Sequence, residues 1–315
     1  MKRFVYFALV GIGLSVGDAS ACDVCATHLA LAAREEAGRT TVSVFEQYSD
    51  YDAPPGGGHT FTGYATQVSA SHWVNGRWAV QAGLPILDKN LDNGEAHESG
   101  IGDATLLAVF RAVKHEDAAG YATVDAFAGI EAPTGDSDPL REERDAALEA
   151  MHAEEHEHEG GEEDHHAPHP HGHHVALGSG SWDGIFGVSG LWKRGRVMGM
   201  GEAQYVLRTE GDFDFEYGDE VIGRAGLFWF ALLEDAGSIA AGAEVTADRK
   251  AEDRVMGVKQ DGSDGDAVYA GPSLRATWND RLAASFAWDI AVSGEDEGLE
   301  GAASTRVRGA LAMTL

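Results

Sequence analysis

Nine of the 14 histidines fall between Asp136 and His174: His152, His156, His158, His165, His166, His169, His171, His173 and His174. The same stretch holds 13 acidic residues against only Arg141 and Arg144. Imidazole nitrogens suit Zn, Cu, Ni and Co, and carboxylates add charge to whatever site they share. Neighbours such as His156 and His158 are too close to share one helical face, but a pliant chain can wrap both onto one ion. The same holds for His169, His171 and His173. Such a tract takes several borderline metals with little selectivity, because no rigid geometry is imposed. It reads either as a metal-collecting antenna or as a solvated acidic loop. Arg141 to Ala153 is rich in Glu, Arg, Ala and Leu and predicts a short helix. Beyond Glu154 the composition is low-complexity and predicts disorder.

A second cluster is Cys22, Cys25 and His28, spaced C-x-x-C-x-x-H. This is not the C-x-x-C-H of haem attachment, since His28 stands three places after Cys25. On a helix the spacing puts all three near one face, where they could ligate one soft or borderline ion. An oxidising compartment would instead favour a Cys22–Cys25 disulfide. Lipidation of Cys22 is the third state open to it. Ala26 to Ala37 predicts a short helix in or under the main domain, where it could act as a small plug.

What must carry these residues is an exported domain. Lys2 and Arg3 precede the apolar run Phe4–Val16, and Ala19-Ser20-Ala21 is an A-x-A cleavage site, so residues 1–21 read as a signal peptide and the mature chain is expected to start at Cys22. No other stretch is apolar for the roughly 18 residues that a membrane helix needs. A formal charge of −29 excludes a basic nucleic-acid footprint and favours cations over anionic surfaces. With 41 Gly against 8 Pro, the composition suits many strands joined by turns.

Period-2 alternation recurs along residues 38–315. Leu282, Ala284, Phe286, Trp288 and Ile290 share one face, with Ser285 and Asp289 on the other. Twelve strands are predicted, at 39–49, 60–74, 77–88, 101–113, 120–133, 177–193, 196–210, 218–233, 238–250, 267–279, 281–293 and 304–315. Many are long enough to cross a bilayer at a tilt. Their connections alternate in strict order between short turns and long loops, the longest being 136–176. The expectation is a single all-β antiparallel transmembrane barrel in a bacterial outer membrane, with short periplasmic turns, long external loops and both ends in the periplasm. Charges inside strands then face the lumen: Asp103, Arg111, Asp125, Glu131, Glu202, Arg208, Arg224, Arg275, Asp289, Arg306 and Arg308. Trp73, Trp78, Trp182, Trp192, Trp229, Trp278 and Trp288 are expected mostly near strand ends, as interfacial girdles.

Three segments carry a resemblance. Gly100-Ile101-Gly102-Asp103, Ala132-Pro133-Thr134-Gly135-Asp136 and Gly178-Ser179-Gly180-Ser181-Trp182-Asp183, in that order and at strand ends, resemble the outer-membrane family called "putative meta-pathway of phenol degradation", often labelled transporter. The resemblance spans about residues 39–315. It implies a channel-forming barrel of unspecified cargo. The chain departs from that pattern in its His-rich insert, its Cys pair and its final Leu315, where such barrels usually end in an aromatic residue.

No nucleophile elbow, zinc-protease motif or phosphate-binding loop occurs, and the adjacent Ser71 and His72 face opposite sides of a strand, so no enzyme is expected. The expected function is passage of a small solute or a divalent transition-metal ion, with membrane lipid as surroundings and a periplasmic partner possible at the Cys pair. A non-conducting metal-binding, sensing or structural barrel is the alternative, including a sheath around an electron-transfer partner.

Overall fold

The computed structural model describes residues 37–51, 60–91, 96–156, 172–260, 262–279, 281–294 and 303–315. The predicted signal peptide and the segment bearing Cys22, Cys25 and His28 lie outside the described residues, as does most of the His tract.

Alternating side chains build strands, and the strands close on themselves. The chain runs through β1 (Thr40–Tyr51), β2 (Phe61–Trp73), β3 (Trp78–Leu91), β4 (Ala96–Ile101), β5 (Ala104–Asp117) and β6 (Gly120–Ala132). After a long loop come β7 (Asp183–Arg194), β8 (Val197–Leu207), the short β9 (Phe215–Glu216), β10 (Glu220–Glu234) and β11 (Gly237–Lys250). Two more short strands, β12 (Arg254–Val255) and β13 (Val258–Lys259), precede β14 (Gly265–Trp278), β15 (Leu282–Gly294) and β16 (Thr305–Thr314). Each long strand pairs antiparallel with its neighbours, and β16 pairs with β1. β4 and β5 form one stave interrupted at Gly102–Asp103, so the wall is a closed barrel of 12 staves. β9, β12 and β13 form a separate small sheet above one rim.

The alternation resolves into an apolar outside and a mixed inside. On β15, Leu282, Phe286, Trp288 and Ile290 are about half exposed, while Ala283, Ala287 and Asp289 are buried. The same division holds for Val221, Leu227 and Trp229 against Ile222, Arg224 and Phe228 on β10. Exposed Val, Leu, Ile, Phe and Trp thus ring the whole barrel. Soluble monomers rarely expose apolar patches beyond about 600 Å². A continuous ring of this kind is a lipid-facing surface. Among the described residues no helix is long and apolar enough to cross a membrane.

All short connections leave one end of the barrel, the turn end. Asn75 caps the first, its Oδ1 accepting from the N–H groups of Arg77 at 2.8 Å and Trp78 at 3.0 Å. Asp117 does the same for Ala119 and Gly120. At the β7–β8 turn Gly195 has φ +56°, a backbone state that costs other residues energy. The long connections gather at the opposite, loop end. Trp78, Trp192, Trp229 and Trp278 point outward near the turn end, and Trp182 does so near the loop end. Trp288 faces outward in mid-strand.

Four expectations need correction. Trp73 is not part of a girdle: it points inward, 3% exposed, beneath the Arg111 guanidinium at 4.1 Å. The sixth long strand begins at Asp183 rather than 177, because residues 178–181 are drawn into hydrogen bonds with Asp103 and with one another. The loop predicted at 89–100 is largely a hairpin, with Leu87–Leu91 paired to Ala96–Gly100. The low-complexity tract ends earlier than expected, since Gly172–Val175 is a helical turn with Val175 buried. The predicted helix is present and longer, Leu140–His156.

Candidate functional site

The barrel interior is lined differently on its two sides. One wall, formed by β1, β2, β3 and β5, presents mainly neutral polar groups, Ser43, Gln47, Ser49, Gln67, Ser69, Gln81 and Thr105, with Lys89 and Arg111 as its buried charges. Ser43 and Ser69 bond through their hydroxyls at 2.8 Å. Gln67 Oε1 is buried with no hydrogen-bond partner among the described residues. The other wall, from β8 to β16, carries charge. Glu244 is its centre: Oε1 accepts from Ser273 Oγ at 2.9 Å and Arg275 Nη2 at 3.0 Å, and Oε2 accepts from Arg308 Nη2 at 3.1 Å. Arg308 also donates through Nε to Asp289 Oδ2 at 2.7 Å. Arg306 donates to Asp248 at 2.9 Å.

Three inward arginines, one on the first wall and two on the second, share a construction. Arg111 lies over Trp73 and bonds Asp125 through two nitrogens at 2.8 and 2.9 Å. Arg275 lies 4.7 Å over Phe228 and bonds Glu244. Arg306 lies 3.5 Å over Tyr269 and bonds Asp248. Each guanidinium therefore has an aromatic face on one side and a carboxylate at its edge, which holds a long side chain flat against the wall.

Part of the interior is apolar. Trp73, Leu107, Val109, Phe127, Ile185 and Val206 form one cluster, which reaches from the turn end up to residues beside Asp183 and Arg208, and Met198, Met200, Phe228 and Phe230 form another near the turn end.

The loop end is built on carboxylates that accept from the chain itself. Asp103 Oδ1 accepts from the N–H of Thr134 at 2.9 Å and of Gly135 at 2.8 Å. Its Oδ2 accepts from the N–H of Ser179 at 2.7 Å and from Ser179 Oγ at 3.0 Å. The three Gly-rich motifs of the sequence thus meet at one side chain. A Cβ on Gly178 would come within 2.7 Å of Asp103 Oδ1 and 2.8 Å of the Gly135 backbone. Beside this clasp, Arg208 joins three strands, donating to Glu131 and Asp183 at 2.9 Å and to Glu220 at 2.7 Å. Lys89 Nζ reaches the Ala176 carbonyl at 2.7 Å.

Above the clasp, the helix Leu140–His156 and the turn Gly172–Val175 pack against the small sheet of β9, β12 and β13. Glu143, buried on the helix, accepts from both the backbone N–H of His173 at 3.1 Å and its ring Nδ1 at 2.6 Å. The His173 ring stacks on Phe215, and Tyr217 Oη donates to the His173 carbonyl at 3.1 Å. His174 lies against Phe61.

All eleven charges expected inside the barrel are inward and largely buried, including Asp103, Glu131, Arg208, Asp289 and Arg308. Sequence reading left out Glu244, Asp183 and Asp248, although the alternation Ala240, Gly242, Glu244, Thr246, Asp248 against Ile239, Ala241, Ala243, Val245 carries the same signal. Of the histidines and cysteines expected to hold metal, only His152, His173 and His174 have described side chains. His152 is exposed. His173 and His174 are adjacent, with ring centroids 3.9 Å apart. Among the described residues no group of three or more His, Cys, Asp or Glu is placed to hold a metal ion. The remaining expected ligands, with Cys22, Cys25, His28, the His156 side chain, His158, His165, His166, His169 and His171, lie outside the described residues.

Twelve antiparallel staves, an apolar exterior and a charge-bearing interior make this an outer-membrane-type β-barrel. No protein-family model matches the chain, and no curated protein is similar to it. Among solved structures it is similar to the COG4313 outer membrane channel from Pseudomonas putida F1, with a TM-score of 0.62 at 15% identity, covering 90% of this chain and 98% of that one. It also matches the translocator domain of the autotransporter NalP from Neisseria meningitidis, with a TM-score of 0.43 at 13% identity, covering 90% of each chain. The first likeness is one of fold.

Proposed function

We propose that the chain is an outer-membrane channel for a small solute, with the turn end in the periplasm and the loop end outside. The observation that carries this reading is the closed 12-stave wall with charged and amide side chains facing inward. A polar interior is what a transmembrane barrel with a water-filled lumen presents. The COG4313 neighbour is a channel by its description, and the three convergent motifs resemble the phenol meta-pathway family; both support the reading without naming a cargo.

The finer reading is that the His tract collects a divalent transition-metal ion at the mouth, through His152, His156, His158, His165, His166, His169, His171, His173 and His174. Zn, Cu, Ni and Co all fit imidazole and carboxylate donors. Cys22, Cys25 and His28 would then offer a second site, or a docking point for a partner, at the turn end. The non-conducting alternative draws on one observation: Leu107, Val109, Ile185 and Val206, all inward, are at most 1% exposed, so that part of the interior is tightly filled.

Planar-bilayer conductance of the purified full chain, measured with and without Zn, Cu, Ni and Co, separates these readings. Discrete current steps support the channel. Stoichiometric metal binding with silence in every condition would leave the metal-binding barrel.

A further inference from the structure

We propose that the helix Leu140–His156 and the turn Gly172–Val175 form a strap laid across the barrel mouth, closed by the His173–Glu143 pair and opened without disturbing the wall. The inference rests on the channel reading and adds its regulation.

The geometry comes first. Stave order runs β1, β2, β3, β4/β5, β6, β7, β8, β10, β11, β14, β15, β16 around the ring. Val175 packs with Phe61 and Leu91 at the tops of β2 and β3. Leu140 and Ala176 pack with Phe215 and Val255, which belong to the β8–β10 and β11–β14 loops. β3 and β11 are six staves apart in a ring of twelve. Turn, helix and small sheet therefore form one layer from the β2–β3 rim to loops that spring from the opposite side of the ring, and a layer of that extent covers the opening.

His173 is where the crossing is fastened. Its side chain and backbone both donate to Glu143, its ring lies on Phe215, and its carbonyl is held by Tyr217. These contacts join the helix, the turn and the small sheet at one residue. Among residues 140–149 only Leu140 and Glu143 are buried, with Ala147 packed partly buried beside Leu140.

The surface that the strap closes on is itself strained. Phe213 and Asp214 both have positive φ, +61° and +55°, and neither is glycine. Two consecutive residues in this state persist only where their surroundings hold them. Part of that hold comes from the strap, since Arg141 and Arg144 lie 5.0 and 5.4 Å from the Phe213 ring. Releasing the helix lets this loop relax, which favours the open state. The clasp at Asp103 and the Lys89 contact lie at the strap's base and stay with the wall.

The test is the open probability of single channels in planar bilayers, using the full chain, Glu143→Ala, Tyr217→Phe and a barrel with residues 140–175 replaced by a short Gly-Ser linker. Loss of both hydrogen bonds to a charged group should raise the open probability of Glu143→Ala at least about tenfold. Tyr217→Phe should raise it less, and the linker barrel should stay open. Glu143→Ala and Tyr217→Phe currents equal to wild type, beside a conducting linker barrel, overturn the strap and leave the channel standing. A linker barrel that is also silent overturns both.

Discussion

The long loop between β6 and β7 is held to the barrel at its base and pinned to itself further out, and the two contacts are of different kinds. At its base, Asp103 accepts three backbone N–H groups and one hydroxyl. At its far end, Glu143 holds one residue, His173, through its ring and its N–H. The first attachment depends on the path of the main chain, so the glycines and serine around it are as necessary as the carboxylate. The second depends on a single pair of side chains and can be lost without rerouting anything. A buried acceptor aimed at backbone donors fixes a fold; a side-chain pair across two segments fixes only a state of it.

That contrast is open to experiment, beginning where the effect should be largest. Asp103→Ala strands several buried donors, each worth roughly 1–3 kcal/mol when left unmade. We expect a loss of about 3 kcal/mol in urea unfolding from liposomes. Trypsin should then also cut at Arg141 and Arg144. A midpoint within error of wild type would show that the clasp is ornamental. Gly178→Ala comes next, since its Cβ would crowd Asp103 and the Gly135 backbone; overpacking of this sort costs about 1–3 kcal/mol. If Gly178→Ala unfolds like wild type, the main-chain path is not what the motif protects.

Glu143→Gln should cost about 1 kcal/mol or less in global unfolding, because the amide oxygen still accepts, yet it should speed protease nicking of the helix severalfold. Equal losses in Glu143→Gln and Asp103→Ala would erase the distinction between base and far end. The smallest effect belongs to deletion of residues 157–171. Barrel unfolding should not move, whereas bound Zn or Ni, counted by elemental analysis after dialysis, should fall. Retention of the full metal complement would remove the tract from the proposed function.

The wall was readable from sequence because a lipid-facing barrel obeys one rule at every position. Leu282 to Ile290 declare their faces by alternation alone, and the turns at Asn75 and Gly195 punctuate it. Trp73 obeys that rule too, sharing the inward face of Gln67 and Ser69; only its aromatic type suggested lipid. The three Gly-rich motifs could be recognised as a set, but their meeting at Asp103 is a contact across loops that no spacing encodes. Likewise the tract's histidines all look alike in sequence. Only the fold distinguishes His173, because Glu143, Phe215 and Tyr217 come from three separate segments. The small sheet of β9, β12 and β13 escaped because two-residue strands carry no period.

The seam where β16 meets β1 has a consequence of its own. Thr41 and Thr314, which bond across it, are separated by 273 positions. The chain entropy lost in bringing such distant strands together grows only with the logarithm of the intervening length. Inserting the ~50 residues between β6 and β7 therefore adds roughly 0.2 kcal/mol to closure. A barrel closed this way can acquire, lengthen or lose a large loop almost without thermodynamic notice, leaving the loop's composition to be set by what it meets outside.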